Sequence, residues 1–108
     1  MKTKRNTNQG EQMKTKSKKS RFHGFKVGKC YLIRTVTNYW TGRLIRIGPQ
    51  ELTLEDAAWI ADTGRFSQAL NGPDNLNEVE PVQPNVIIGR GSVVDAIEWL
   101  HPLPRVMK

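Results

Sequence analysis

Apolar and polar positions alternate in short runs, separated by breaks that contain glycine or proline, and this predicts strands rather than long helices. Lys29 to Trp40 (KCYLIRTVTNYW) is dense in β-branched and aromatic residues and reads as a first strand. Tyr31, Ile33, Thr35 and Thr37 fall on one face, with Cys30, Leu32, Arg34 and Val36 on the other. Both faces are mixed, as suits a strand in a strongly bent small sheet. Thr41-Gly42 allows a tight turn or a bulge. Arg43 to Ile47 then alternates, placing Leu44 inside and Arg43 and Ile45 on the opposite side. Gly48-Pro49-Gln50 is a turn signal, and Glu51–Ile60 resumes the alternation as a third strand in a hairpin with the second. A helix over Glu55–Ala61 is the competing reading, because Ala and Glu favour it.

Further along, Asp62 to Leu70 reads as a loop followed by a short helical turn, and Asn71 to Asn77 (NGPDNLN) as a turn cluster. Pro81 and Pro84 exclude a helix from Glu78 to Asn85, which is therefore extended. Val86-Ile87-Ile88 reads as a buried strand. Gly89-Arg90-Gly91 breaks it and Ser92 to Leu100 resumes it, with a short helix over 92–99 as an alternative. His101-Pro102-Leu103-Pro104 closes the domain in extended form. The pattern predicts a mainly all-β domain over residues 23–104, built as a small five-stranded barrel. A long insertion spans 62–84 and a tail spans 105–108.

Charge changes the picture at one end only. At 108 residues the chain holds one domain. Its net charge is +7, and residues 1–22 carry all of it: eight basic side chains against Glu11 alone. Residues 23–108 hold nine basic and nine acidic side chains, so a polyanion would be drawn first to the arm. Met13 is the only apolar residue between Met1 and Phe22. Burial there cannot offset an ordering cost of roughly 1–2 kcal/mol per residue, so the arm is expected to be disordered. Lys-Thr-Lys recurs at 2–4 and 14–16, each time after a Met, which makes Met13 an alternative start. The arm lacks the apolar stretch of a secretory signal, and no run is long and apolar enough to span a membrane. A single Cys30 excludes an internal disulfide framework and fits a reducing, cytoplasmic setting. A folded part of this size often completes its burial by oligomerising.

The order of these elements resembles the Sm/LSm small β-barrel family. Gly42-Arg43-Leu44 and Leu52-Thr53-Leu54-Glu55-Asp56-Ala57 stand where that family's first motif has Gly-x-Leu and an alternating run ending in an acid and Ala. Ile88-Gly89-Arg90-Gly91-Ser92-Val93-Val94 is similar to its second motif, with Arg90-Gly91 as the nearest match and Gly89 where Ile is usual. The resemblance covers about residues 27–100 and is greatest to short LSm-like proteins of phages and prophages, whose middle also reads Ala-Ala-Trp-Ile. It implies a non-enzymatic homo-oligomer, most naturally a ring formed by strand pairing across subunits, that binds nucleic acid, RNA before DNA. If phage-encoded, it would act in the host cytoplasm. One departure matters. Glu51 stands where the family's RNA-reading Asn is expected, and a carboxylate can neither donate amide hydrogen bonds nor welcome phosphate. The family's uridine pocket therefore does not carry over. Arg90 alone keeps its motif position, where it would stack on a base or hold a phosphate.

Other chemistry is thin. His23 and His101 lie at opposite ends with no ligand spacing, so neither a metal nor another cofactor is expected. Cys30 inside a strand reads as a small hydrophobe rather than a nucleophile. Glu55 and Asp56 are adjacent and would point to opposite faces of a strand, which separates them as an acid–base pair. Gly89-Arg90-Gly91-Ser92 is a candidate anion loop, although a bulge explains the glycines equally well. Trp59, Trp40, Phe66 and Arg65 are candidates for a stacking platform, and core or interface anchoring is the plainer reading. The expected binding residues are Arg90, Gly91, Arg65 and Trp59, together with Lys14, Lys16, Lys18, Lys19 and Arg21 of the arm. Two readings from other classes stay open. One is a phage protein that sequesters a small anionic nucleotide, with 62–84 as the pocket wall; the other is a phage structural or adaptor protein.

Overall fold

The computed structural model describes residues 24–108, so the basic arm and His23 lie outside the described residues. Six strands form: β1 (Cys30–Thr35), β2 (Tyr39–Ile47), β3 (Glu51–Asp62), β4 (Glu78–Val82), β5 (Val86–Gly89) and β6 (Val93–Glu98). One short helix, α1 (Phe66–Ala69), follows β3. The strands make one antiparallel sheet in the order β4-β3-β2-β1-β6, with β5 also paired to β3. The mainly-β fold expected from the sequence is the one adopted. No described helix is long and apolar enough to cross a membrane.

Among the described residues the strand count is six, not five: β4 is the addition, and a turn moves the boundary between the first two strands. The run from Lys29 to Trp40 is not one strand: it turns at Val36-Thr37. The Thr35 amide donates to the Asn38 carbonyl at 2.8 Å, and the Thr35 hydroxyl binds both the Asn38 carbonyl and its side-chain oxygen at 3.0 Å. Val36 is β-branched yet points to solvent, so composition hides the turn. The extended segment after Glu78 also gains a partner, because Val79 and Pro81 lie opposite Ile60 and Ala58 of β3. Proline is tolerated there because β4 has β3 on one side only.

The glycine at the predicted bulge has a steric reason. The β2–β3 register slips between Thr41 and Arg43, and a Cβ on Gly42 would sit 3.0 Å from the Leu54 Cβ and 3.3 Å from that of Ala57. Strand β3 is continuous from Glu51 to Asp62, which removes the helical alternative at 55–61. It changes partner midway, from β5 over 51–54 to β4 over 57–62. At the corner Asp56 takes a left-handed backbone, φ 53°, a conformation that Asp tolerates better than most residues. The helical alternative at 92–99 is likewise absent: a three-residue 3₁₀ turn, Arg90–Ser92, leads into β6.

That turn fixes the overall curvature. Strand β5 borders β3, and β6 borders β1, so four strand spacings of about 4.8 Å would separate them in a flat sheet. Three residues at about 2 Å rise each cannot bridge that gap. The sheet must curl until its two margins approach, yet β5 and β6 do not pair, so the barrel is open rather than closed.

Curling gives the sheet two cores. The inner one holds Tyr31, Ile33, Leu44, Leu52, Leu54, Ala57 and Ile88. The outer one holds Leu32, Ala58, Ile60, Ala69, Leu76, Val79, Trp99 and Leu103. Strand β1 feeds both, which explains its mixed faces. The 62–84 insertion supplies Ala69, Leu76 and Val79 and so covers the outer face of the sheet. Strand β5 is not fully buried, as its apolar run suggested: Ile88 is 5% exposed and its neighbour Ile87 is 70% exposed.

One polar side chain sits badly in the outer layer. Thr41 is 0% exposed between Leu32 of β1 and Ala58 of β3, and its hydroxyl has no hydrogen-bond partner among the described residues. A buried unsatisfied hydroxyl costs about 1–3 kcal/mol. Thr41→Val keeps the shape and removes the oxygen, so urea denaturation should show a gain of about 1 kcal/mol. A loss instead would mean that the hydroxyl is bonded.

Candidate nucleic-acid interface

Arg90 is placed by the pairing of β5 with the start of β3, where Gly89 lies opposite Glu51. The 3₁₀ turn therefore abuts the β2–β3 hairpin, itself closed by the Gly48 amide donating to the Glu51 carbonyl at 2.8 Å. The Arg90 amide donates to the Gln50 carbonyl at 2.9 Å, and one guanidinium nitrogen donates to the Gly48 carbonyl at 3.3 Å. The Ser92 hydroxyl donates to the Gly89 carbonyl at 2.7 Å. Three groups of the candidate anion loop are thus engaged within the protein, and Arg90 is a brace across the hairpin. Gly91 is exposed, and a Cβ there would meet nothing within 4 Å. Glu51 is half-buried and lies 3.5 Å from the Arg46 guanidinium, which offsets its charge near the turn.

Trp59 and Arg65 lie elsewhere. Trp59 is eight residues beyond Glu51 on β3, up to about 27 Å along the strand. It faces Trp40 on β2 and Glu80 on β4 and is 39% exposed. Trp40 packs on the inner core, whereas Tyr39 packs on the outer core with its ring 6.2 Å from that of Phe66. The sheet thus divides the four aromatics into two pairs. Arg65 is exposed in the turn before α1, beside Phe66, where its carbonyl accepts from Gln68 and Ala69. Arg90 and Gly91 come together, and Trp59 and Arg65 do not join them. Lys14, Lys16, Lys18, Lys19 and Arg21 lie outside the described residues.

The remaining candidates have structural surroundings. Cys30 packs against the outer core, and its carbonyl accepts from the Trp99 amide at 2.8 Å. His101 meets the Trp99 ring edge-on at 5.5 Å, with Nε2 2.8 Å from the Leu70 carbonyl oxygen. Glu55 and Asp56 diverge, to Arg43 at 3.0 Å and to Arg105. No group of three or more His, Cys, Asp and Glu that could hold a metal occurs among the described residues.

A groove that sequence reasoning did not find runs beside β6. It has a volume of about 590 Å³, walled by Gly24–Lys26, Lys29 and Tyr31 on one side and by Val93–Ala96 and Glu98 on the other. The Tyr31 hydroxyl accepts from the Lys26 amide at 2.8 Å and the Phe25 ring packs edge-on against Tyr31 at 5.2 Å, which fixes one wall. Its charges are balanced, with Lys29 3.4 Å from Glu98 and Arg34 bound to Asp95 across the β1–β6 pair, Nε to Oδ1 at 3.1 Å. No sequence motif marks it, because it arises from an unpaired strand edge.

Two carboxyls are held below the usual carboxylate range. The Arg34 guanidinium donates to Asp95, and that of Arg105 to Asp56; partial burial opposes both effects without overcoming them. A carboxyl depressed in the folded state binds its proton more readily when unfolded, so stability rises with pH across its titration. The contribution is complete above the ordinary Asp value near 4 and is lost as pH falls through the lower folded values. Denaturation midpoints should therefore drop below about pH 4, and Asp56→Asn with Asp95→Asn should flatten that drop. An unchanged acid slope in the double variant would contradict these pairings.

No family model, no curated protein and no solved structure matches the chain.

Proposed function

We propose that the chain is a non-enzymatic, Sm-like module that assembles into a homo-oligomeric ring and binds nucleic acid, RNA in preference to DNA. The observation that carries this reading is the pair of open strands on the two margins of the curled sheet. The outer edges of β5 and β6 have no strand partner among the described residues, and both expose apolar side chains: Ile87 at 70%, Val94 at 55% and Ile97 at 37%. Unpaired apolar edges recruit strands. Two different edges on one subunit give a head-to-tail contact, which closes into a ring when the rotation allows. The groove beside β6 gives an incoming strand room, and the uncharged Val86-Ile87-Ile88-Gly89 suits its balanced charge.

Nucleic acid enters through charge. The body of the chain is neutral, so phosphate affinity rests on the eight cations of residues 1–22, with Arg90 fixed beside the hairpin as the recognition element of the folded part. A ring would collect many arms. The 62–84 segment spends its apolar residues covering the outer core, which leaves the nucleotide-sequestering alternative less support.

Binding of a single-stranded RNA, measured by fluorescence anisotropy over a range of salt concentrations, tests the reading. Each neutralised phosphate contributes about −0.7 to the slope of log K against log salt for single strands, so deleting residues 1–22 with their eight cations should flatten the slope by up to about six. Arg90→Ala should weaken binding with a smaller change of slope. RNA binding that survives the deletion unchanged would remove the arm from the interface.

A further inference from the structure

The outer edge of β4, unlike those of β5 and β6, is occupied. The Val79 amide donates to the Lys108 carbonyl at 3.2 Å, and the Lys108 amide donates back to the Val79 carbonyl at 3.0 Å. That reciprocal pair is the unit of an antiparallel ladder. The Lys108 ammonium donates to the Asp74 carbonyl at 2.8 Å. Nearer the core, the Arg105 Nε donates to both Asp56 oxygens, at 3.1 and 3.0 Å, and its Nη2 reaches Oδ2. Leu103 is 6% exposed and joins the outer core beside Leu76 and Val79, and Pro104 is buried with it.

The 103–108 segment lies between two clefts. One, of about 220 Å³, is lined by Pro73, Asp74, Leu103, Pro104 and Lys108 among others. The other, of about 290 Å³, is lined by Asp56, Ala57, Pro81, Val82 and Gln83. Arg105 borders both. They flank the segment, which the body of the domain holds along β4 at four points: an apolar Leu-Pro anchor, an arginine on Asp56, a main-chain pair on Val79 and a lysine on the Asp74 carbonyl. The segment carries Arg105 and Lys108 and no acid, and these two cations meet the Asp56 carboxylate and the Asp74 carbonyl.

The far part of the segment faces solvent. Arg105 to Lys108 are all exposed, and Pro102 and Pro104 exclude a helix that would tie the segment down. We propose that the outer edge of β4 is a strand-docking groove, occupied in its own chain by residues 103–108, that accepts the same segment from a second copy. A second copy is the fitting occupant because its segment carries the sequence that all four points already read.

The test uses the full chain and a fluorescent peptide of residues Leu103–Lys108, which stands for the segment of another copy. In the full chain the resident segment competes with the peptide. Arg105→Ala weakens only the resident segment, through an exposed ion pair, so it should tighten peptide binding about threefold over the unaltered chain. Adding Asp56→Asn should abolish that gain, and Asn tolerates the left-handed backbone at this corner. Hydrogen exchange of the β-strand amides verifies that both variants are folded. Equal peptide binding by the unaltered chain and Arg105→Ala would overturn the proposal. So would a gain that persists in the Arg105→Ala, Asp56→Asn double variant, because the peptide would then sit elsewhere.

Discussion

A lysine in place of Ile87 or Val94 is expected to hold the protein as a monomer while leaving the monomer almost as stable as before. Both side chains are more than half exposed, so neither substitution opens a cavity, and exposed changes of this kind stay within about 0.5 kcal/mol. In the assembled form the same positions lie on the strands proposed to pair across subunits. A lysine there must either be desolvated or force the incoming strand away, the device by which natural edge strands avoid association. Association should weaken by on the order of a hundredfold or more. Light scattering across a concentration series reads this directly. A variant that assembles as well as the unaltered chain would show that its strand is not part of the contact.

The second large effect is expected inside the sheet. Leu44 is 0% exposed, faces Leu54 across the β2–β3 pair, and lies two residues beyond the Gly42 bulge. Its amide donates to the Lys29 carbonyl at 2.9 Å, and its carbonyl accepts from the Gly28 amide at 2.7 Å, so β2 also holds the segment that walls the groove. Leu44→Ala should cost about 2–5 kcal/mol, the cost depending on how far Leu54 and Ile33 can close the gap. In a domain of this size that lowers the melting temperature by roughly 10–30 °C. The measurement belongs in the Ile87→Lys background, because the proposed assembly would add apparent stability of its own. A loss below about 1 kcal/mol would mean that the site is loosely packed.

The sequence revealed much of this fold where side-chain pattern and backbone agree. Leu44, Leu52 and Leu54 alternate with polar neighbours, and the strands follow them. Gly48-Pro49-Gln50 turns where its composition says it should, and the Thr41-Gly42 bulge exists because Leu54 needs the space. Illegible features were those set by partners distant in sequence or by bonds that composition does not show. The Val36-Thr37 turn is made by a threonine and an asparagine bonding to each other within a β-branched run. The strand at Glu78–Val82 exists because β3 continues past its corner, which rests on a left-handed Asp56 and on Arg105, forty-nine residues later. The candidate site was legible only in part. Arg90 and Gly91 are chain neighbours and so necessarily lie together, whereas Trp59 and Arg65 are carried to another part of the sheet by the length of β3. The groove beside β6 had no signal, since an unpaired edge shows only when the whole strand order is known.

Native mass spectrometry of the untagged full chain, purified at low salt, bears most directly on the proposed assembly. A closed oligomer of one stoichiometry carrying heterogeneous nucleic acid is the expected result, with Ile87→Lys reducing it to a monomer. A bare monomer at every concentration would contradict the ring, and with it the pairing of the open β5 and β6 edges across subunits.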